Sequence, residues 1–306
     1  MKNVPNTAKI NPELALVVEG GGQKGVFTAG IFDMWLMAGF NPFGILLGTS
    51  AGAQNLASYI SGQQGYAYSL ISMLTKLNTF FSPWRMLRRK NVMDLDWYFK
   101  QTQEKLFYFD EHKAMANSQN RIVRFSASNP TLFETTMMDP NVEGWLESLK
   151  YSSAIPYLYQ SSSLVDGGVT APLPVQQAHD LGAKTILTIR TRALKQEEGN
   201  KYMQRIKPFV CFQGRCPRIV NIASRHDLAY EEANLFISRP PSGVRVMELR
   251  PQRKLLTKTL GSTQAEMIAD YKHGLFIGAE FLRQHGISVY SESELKCSKT
   301  VSEMVA

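Results

Sequence analysis

The pentapeptide Gly48-Thr49-Ser50-Ala51-Gly52 sets a serine among small residues. It ends a short apolar run, Gly44 to Gly48, and opens a stretch from Ala51 to Ser61 with helical character, so the spacing predicts a strand that turns abruptly into a helix. A serine at such a turn is pushed out beyond the carboxyl end of the strand, and small neighbours let the chain turn without a clash. The helix that follows offers backbone N–H groups and the positive end of its dipole to developing negative charge. The chemistry open to this serine is nucleophilic attack on a carbonyl carbon.

Two other segments could serve the same centre. Glu19-Gly20-Gly21-Gly22-Gln23-Lys24-Gly25 lies between the apolar run Leu14 to Val18 and a helical stretch, Gly25 to Ala38. Consecutive glycines let backbone N–H groups approach an anion, which suits an oxyanion hole or a phosphate cradle. A P-loop would need Ser or Thr after its lysine, and Lys24 is followed by Gly25 and Val26. Gly20, Gly22 and Gly25 formally meet the dinucleotide fingerprint, yet no acidic residue follows a second strand about twenty residues on. A nucleotide-binding module with an inert Ser50 is therefore the rival reading. The third segment, Asp166-Gly167-Gly168, sets a carboxylate where Leu164-Val165 enters a turn. The three together offer oxyanion donors, a nucleophile and a base.

The elements that must position these residues alternate. Strand, helix, strand and helix within about sixty residues predict a parallel sheet with crossover helices. Gly65 to about Asn120 reads as a mainly helical insertion rich in aromatics and methionine, fit to cover or line an apolar cleft. Strands are expected at Arg121 to Ser128, Thr135 to Met138, Thr185 to Arg190 and Val244 to Leu249. Helices are expected at Asn141 to Tyr151, Pro174 to Leu181 and Arg218 to Phe236. A final helix opens on the capping box Thr263-Gln264-Ala265-Glu266 and closes at Gly286. A single domain over residues 10–290 is expected, with the insertion at about 65–120 and a loose tail at 291–306.

With 306 residues, 44% hydrophobic and 20% charged, the chain reads as globular. Its net charge of +8 favours an anionic partner. The densest basic cluster, Arg85, Arg88, Arg89 and Lys90, is interleaved with Trp84, Met86 and Leu87, a mixture suited to a membrane surface or to a solvated face. No run of about 20 apolar residues is present, so membrane contact is expected to be peripheral. Leu14 to Val18 is too short for a signal-peptide core, and Cys211, Cys216 and Cys297 form no paired pattern, so a cytoplasmic protein is expected. No metal motif is present: Asp94 and Asp96 lack an EF-hand glycine, and no His-Glu-x-x-His occurs.

In order and spacing the chain resembles the patatin-like phospholipase family. The segments that carry the resemblance are Gly20-Gly21-Gly22-Gln23-Lys24-Gly25, Gly48-Thr49-Ser50-Ala51-Gly52, Ser152-Ser153-Ala154-Ile155-Pro156 and Asp166-Gly167-Gly168, within roughly residues 14 to 190. Glu19 stands where the family often has Asp, and Lys24 where it usually has Arg; lysine keeps the charge without the planar fork. The resemblance implies a three-layer α/β/α fold with a mostly parallel sheet. It also implies hydrolysis of phospholipid or lysophospholipid esters without a cofactor, metal or nucleic acid. Ser50 would be the nucleophile and Asp166 its base, with Gly20, Gly21, Gly22 and Ala51 as oxyanion donors and Gly48, Gly52, Gly167 and Gly168 shaping the turns. The alternative is a Ser-Asp-His triad of the α/β-hydrolase type. His179 and His226 follow Asp166 in the right order, but both are expected within helices rather than after strands.

Overall fold

The computed structural model describes residues 9–161, 163–194 and 216–287. In chain order its main elements are β1 (Asn11–Val18), α1 (Gly25–Met37), β2 (Phe43–Thr49), α2 (Ala51–Ser61), α3 (Tyr66–Met73), α4 (Leu95–Gln101), α5 (Glu111–Asn117), β3 (Ile122–Ser128), β4 (Thr135–Met138) and α6 (Pro140–Glu143). They continue as α7 (Trp145–Ser152), β5 (Val165–Asp166), α8 (Val175–Asp180), β6 (Thr185–Ile189), α9 (Cys216–Ser238), β7 (Arg245–Leu249) and α10 (Gln264–Gln284).

The strand order is β4-β3-β2-β1-β6-β7, with β5 added against β3. β1, β2, β3, β6 and β7 run parallel, while β4 and β5 pair antiparallel with β3. Why β1 reads as one apolar run is visible in its packing. Leu16 and Val18 face a core with Phe27, Ile31 and Trp35 of α1, Leu56 and Tyr59 of α2, and Ile277 and Phe281 of α10. Ala15 and Val17 face the other way, toward Val175 and Ala178 of α8 and Ala233 of α9. Successive side chains alternate between faces, and helices cover both, so every position must be apolar. The result is the expected three-layer α/β/α arrangement with a mostly parallel sheet.

The C-terminal helix is bound tightly to the first. A Cβ at Gly30 would lie 2.2 Å from the Tyr271 carbonyl oxygen, and one at Gly274 2.0 Å from that of Phe27, so α1 and α10 meet backbone to backbone. The capping box forms as expected, Thr263 accepting from the Glu266 N–H and Glu266 from the Thr263 N–H.

Three expectations need correction or refinement. The helix expected from Asn141 to Tyr151 is two, α6 and α7, because Gly144 adopts φ 88° and breaks the run. β1 begins at Asn11, before the apolar run, because Asn11 N–H bonds Pro42 O at 2.8 Å. The insertion at about 65–120 is less helical than its composition suggests: α3, α4 and α5 are short and alternate with 3-10 turns. Its aromatics Phe80, Tyr98, Phe99, Phe107 and Phe109 are buried. Among the described residues no helix is long and apolar enough to cross a membrane. Cys211, Cys297 and the expected tail lie outside the described residues.

Candidate active site

β2 delivers its last residue, Thr49, to the carboxyl edge of the sheet, and α2 starts two residues later. Ser50 sits between them at φ 54° and ψ −126°, a backbone conformation that costs a non-glycine residue about 1–3 kcal/mol. The surroundings hold it there. Ser50 N–H donates to Ser152 Oγ at 2.9 Å, and Gln54 Nε2 donates to Ser153 Oγ at 2.8 Å. A Cβ at Gly52 would come within 2.5 Å of Val18 O and 2.6 Å of Glu19 O, so the first turn of α2 is pressed against the end of β1. The Ser152-Ser153-Ala154 block noted in the sequence thus clamps the serine turn.

Asp166 arrives from β5, registered opposite Ala127 of β3, with its N–H bonded to Ala154 O at 2.9 Å. Its Oδ2 accepts the Ser50 hydroxyl at 2.6 Å, and its Oδ1 accepts Gly168 N–H at 2.7 Å. Burial pushes the Asp166 carboxyl up to about 6, although both hydrogen bonds pull the other way. The single hydroxyl proton of Ser50 is therefore already directed at a carboxylate that can take it near neutral pH.

The glycine loop leaves the end of β1 beside both residues. Gly20, Gly21, Gly22 and Lys24 line one pocket with Ser50 and Asp166. Ala51 lines a second, adjoining pocket together with Gly22 and Ser50. The loop is fixed at both ends. Gln23 N–H donates to Thr259 O at 3.0 Å, and Gln23 Oε1 accepts Ser262 N–H at 2.8 Å. At the other end the buried Glu19 carboxylate accepts from Thr191 N–H at 2.6 Å and from the Tyr230 hydroxyl at 2.9 Å. Burial would raise the Glu19 carboxyl, but Arg190, Arg192 and these hydrogen bonds more than offset it, and the group stays below the usual carboxylate range. The longer reach of Glu over Asp at this position spans the gap to Thr191 and Tyr230.

The two pockets differ in character. The first adds Thr191, Arg192, His226 and Tyr230 to the loop, a polar wall with a cation. The second is walled by Ile71, Phe80, Met93, Leu95, Tyr98 and Leu260, which are apolar apart from the Tyr98 hydroxyl, bonded to Gln54 Oε1 at 2.7 Å. Ser50 stands at their junction, since it lines both. The serine thus has an apolar wall on one side and a polar wall on the other.

His179 and His226 both lie in helices, α8 and α9. His179 packs beside Phe236. His226 is at the site, where its Nδ1 bonds the Gly168 carbonyl oxygen. Of Arg192, His226, Tyr230 and Thr259, all beyond the Asp166 turn, only His226 was weighed in the sequence, as a possible triad member. The signal available for two of them is the i, i+4 spacing of His226 and Tyr230, which puts both rings on one face of α9, 6.2 Å apart.

The sequence pattern of the patatin-like phospholipase family matches residues 16–179, and that of a domain of unknown function, DUF6363, matches residues 216–287. The uncharacterized protein YjjU of Escherichia coli strain K12 is 35% identical over 279 residues, covering 89% of this chain and 78% of that protein. The crystal structure of VipD from Legionella pneumophila is similar with a TM-score of 0.41 at 10% identity, covering 90% of this chain and 67% of that one. With its pattern spanning more than half of the sequence, the chain belongs to the patatin-like phospholipase family, whose general activity is lipid acyl hydrolysis.

Proposed function

We propose that the protein is a serine acyl hydrolase of the phospholipase A or lysophospholipase type, and that residues 10–290 act as one catalytic unit. The observation that carries this reading is the 2.6 Å hydrogen bond from Ser50 Oγ to Asp166 Oδ2, made by a serine at a strained strand–helix turn. Asp166 accepts the hydroxyl proton as Ser50 Oγ attacks the ester carbonyl carbon. The carbonyl oxygen, now negative, is held by backbone N–H groups of Gly20, Gly21, Gly22 and Ala51, each such donor being worth roughly 10² to 10³ in rate. Collapse of the tetrahedral intermediate expels the alcohol, which takes the proton back from Asp166. Water then attacks the acyl-enzyme and gives a proton to Asp166; the second tetrahedral intermediate expels Ser50 Oγ, which takes that proton back, and the fatty acid is released.

The apolar pocket from Ile71 to Leu260 supports a lipid acyl chain as the part bound on one side of Ser50. The test is hydrolysis of a short-chain p-nitrophenyl ester and labelling by a fluorophosphonate probe. Ser50→Ala is expected to abolish both, and Asp166→Asn to reduce both by orders of magnitude. Retention of wild-type hydrolysis by either variant overturns the reading.

A further inference from the structure

The turn between Phe80 and Met93 takes no part in that chemistry, yet it carries Trp84, 78% exposed. Its base is braced. Ser82 N–H donates to Val92 O at 2.9 Å, Asp94 N–H to Phe80 O at 2.8 Å and Met93 N–H to Leu158 O at 2.9 Å. Arg85 donates to Thr79 O at 2.9 Å and faces Asp94 at 3.4 Å. Between these ties, Pro83–Arg88 forms a 3-10 helix, in which side chains three residues apart eclipse. Trp84 and Leu87 are three apart, so both project from one face, Leu87 being 71% exposed. Arg88, Arg89 and Lys90 follow at once, all exposed, and no acidic residue lies between Pro83 and Val92.

We propose that this turn docks the protein on an anionic phospholipid bilayer, with Trp84 and Leu87 entering the interfacial layer and Arg88, Arg89 and Lys90 meeting headgroup phosphates. Tryptophan favours the boundary between headgroups and acyl chains, and basic residues beside it are drawn to anionic lipid. Nucleic acid would satisfy the three cations but leave Leu87 in water, whereas a bilayer offers a partner to both kinds of side chain. The placement adds a second argument. Phe80 and Met93, at the base of the turn, line the apolar pocket beside Ser50, so a tip resting on lipid sets that pocket's wall next to the membrane. Docking needs no turnover and stands independently of the chemistry assigned to Ser50.

The test uses Ser50→Ala protein, which leaves the vesicles intact, and sedimentation with vesicles of equal parts phosphatidylglycerol and phosphatidylcholine or of phosphatidylcholine alone. Binding to the mixed vesicles is expected to be about tenfold stronger or more and to be released by salt. Adding Trp84→Ala with Leu87→Ser, or Arg88→Glu with Arg89→Glu and Lys90→Glu, is expected to weaken it by about tenfold or more. The same turn substitutions with Ser50 intact are expected to keep wild-type hydrolysis of a water-soluble ester. Loss of that hydrolysis in the parent protein would overturn the proposed function and leave docking standing. A second measurement needs no disruptive variant: brominated acyl chains in the vesicles quench an inserted indole, and Trp84→Phe removes that quenching. Unchanged partition of the turn variants, absence of Trp84 quenching, or a preference for duplex DNA over the mixed vesicles overturns the proposal.

Discussion

His226 Nδ1 donates its proton to the carbonyl oxygen of Gly168, two residues beyond Asp166, so α9 grips the turn that aims the carboxylate at Ser50. A carbonyl oxygen can only accept, which fixes the ring tautomer. Burial lowers the His226 pKa to about 4, with the Arg192 charge acting in the same sense and the Gly168 contact opposing it, so the ring is neutral at physiological pH. The histidine is thereby placed to orient the Asp166 turn, while the Ser50 hydroxyl is bonded to the carboxylate and not to the ring.

Loss of that contact is expected to show in turnover before binding. His226→Phe removes the donor and is expected to lower kcat by about 10²-fold, the cost typical of a small misplacement of a reacting group, with KM little changed. His226→Asn, whose amide can donate from near the Nδ1 position, is expected to recover most of the loss. Steady-state kinetics of the two variants on one soluble ester decide it, and equal impairment of both would mean that the ring matters only as filler.

The pH profile offers a second check, independent of any substitution. As a base Asp166 must be ionised, and its raised pKa places the change near 6, so kcat/KM is expected to fall as pH drops through about 6. An unperturbed carboxylate would put that limb near 4. A catalytic histidine is ruled against if the limb persists unchanged in His226→Asn.

How much of this was legible beforehand follows from where each signal resides. Ser50 and the glycine loop each follow a parallel strand, β2 and β1, whose carboxyl ends share one edge, so local pattern alone could bring these two together. Asp166 ends β5, which runs antiparallel beside β3, and it is the register with Ala127 that sets it there. The same local logic located α2, β4 and the capping box of α10. It could not find Tyr230 or Thr259, because their bonds to Glu19 and Gln23 join residues more than two hundred positions apart and no motif marks the distal partner. Helix α6–α7 failed for the opposite reason: its composition favours one helix, and a single glycine at φ 88° decides otherwise. The role of Glu19 was likewise hidden, since only the fold brings Arg190, Arg192 and Tyr230 to it.

Glu19 should be sensitive to the loss of charge and less so to the loss of length. Glu19→Gln removes the buried carboxylate that faces Arg192 at 3.8 Å and draws on the charge of Arg190, which keeps Glu248 at 2.9 Å. Breaking a buried pair costs about 3–5 kcal/mol, and the expected cost here lies at or below the low end of that range. Glu19→Asp keeps the charge and is expected to lose only part of that, chiefly through stretched contacts to Thr191 N–H and the Tyr230 hydroxyl. Urea denaturation of the three proteins gives the ranking directly. A Gln variant as stable as wild type would show that the ion cluster contributes nothing to holding the glycine loop.

Asp33 tests the electrostatics of the core away from the site. It is buried in α1, where Oδ1 accepts Gly65 N–H at 2.8 Å and Oδ2 accepts the Tyr271 hydroxyl at 2.8 Å, tying α1 to the start of α3 and to α10. Burial raises its carboxyl to about 7 against the pull of both hydrogen bonds. Between the unfolded value near 4 and the folded value near 7 the folded state holds the extra proton, so stability falls as pH rises through that window. The loss above pH 7 is about 4 kcal/mol at most. Asp33→Asn keeps an acceptor for Gly65 and can donate to Tyr271 but cannot ionise, so it should lose less stability than wild type between pH 5 and pH 8. Asp166 titrates in the same direction in both proteins and cancels from the comparison. Thermal melts at the two pH values supply the measurement, and an equal drop in Tm for both proteins would mean that Asp33 is already ionised in the fold at pH 5.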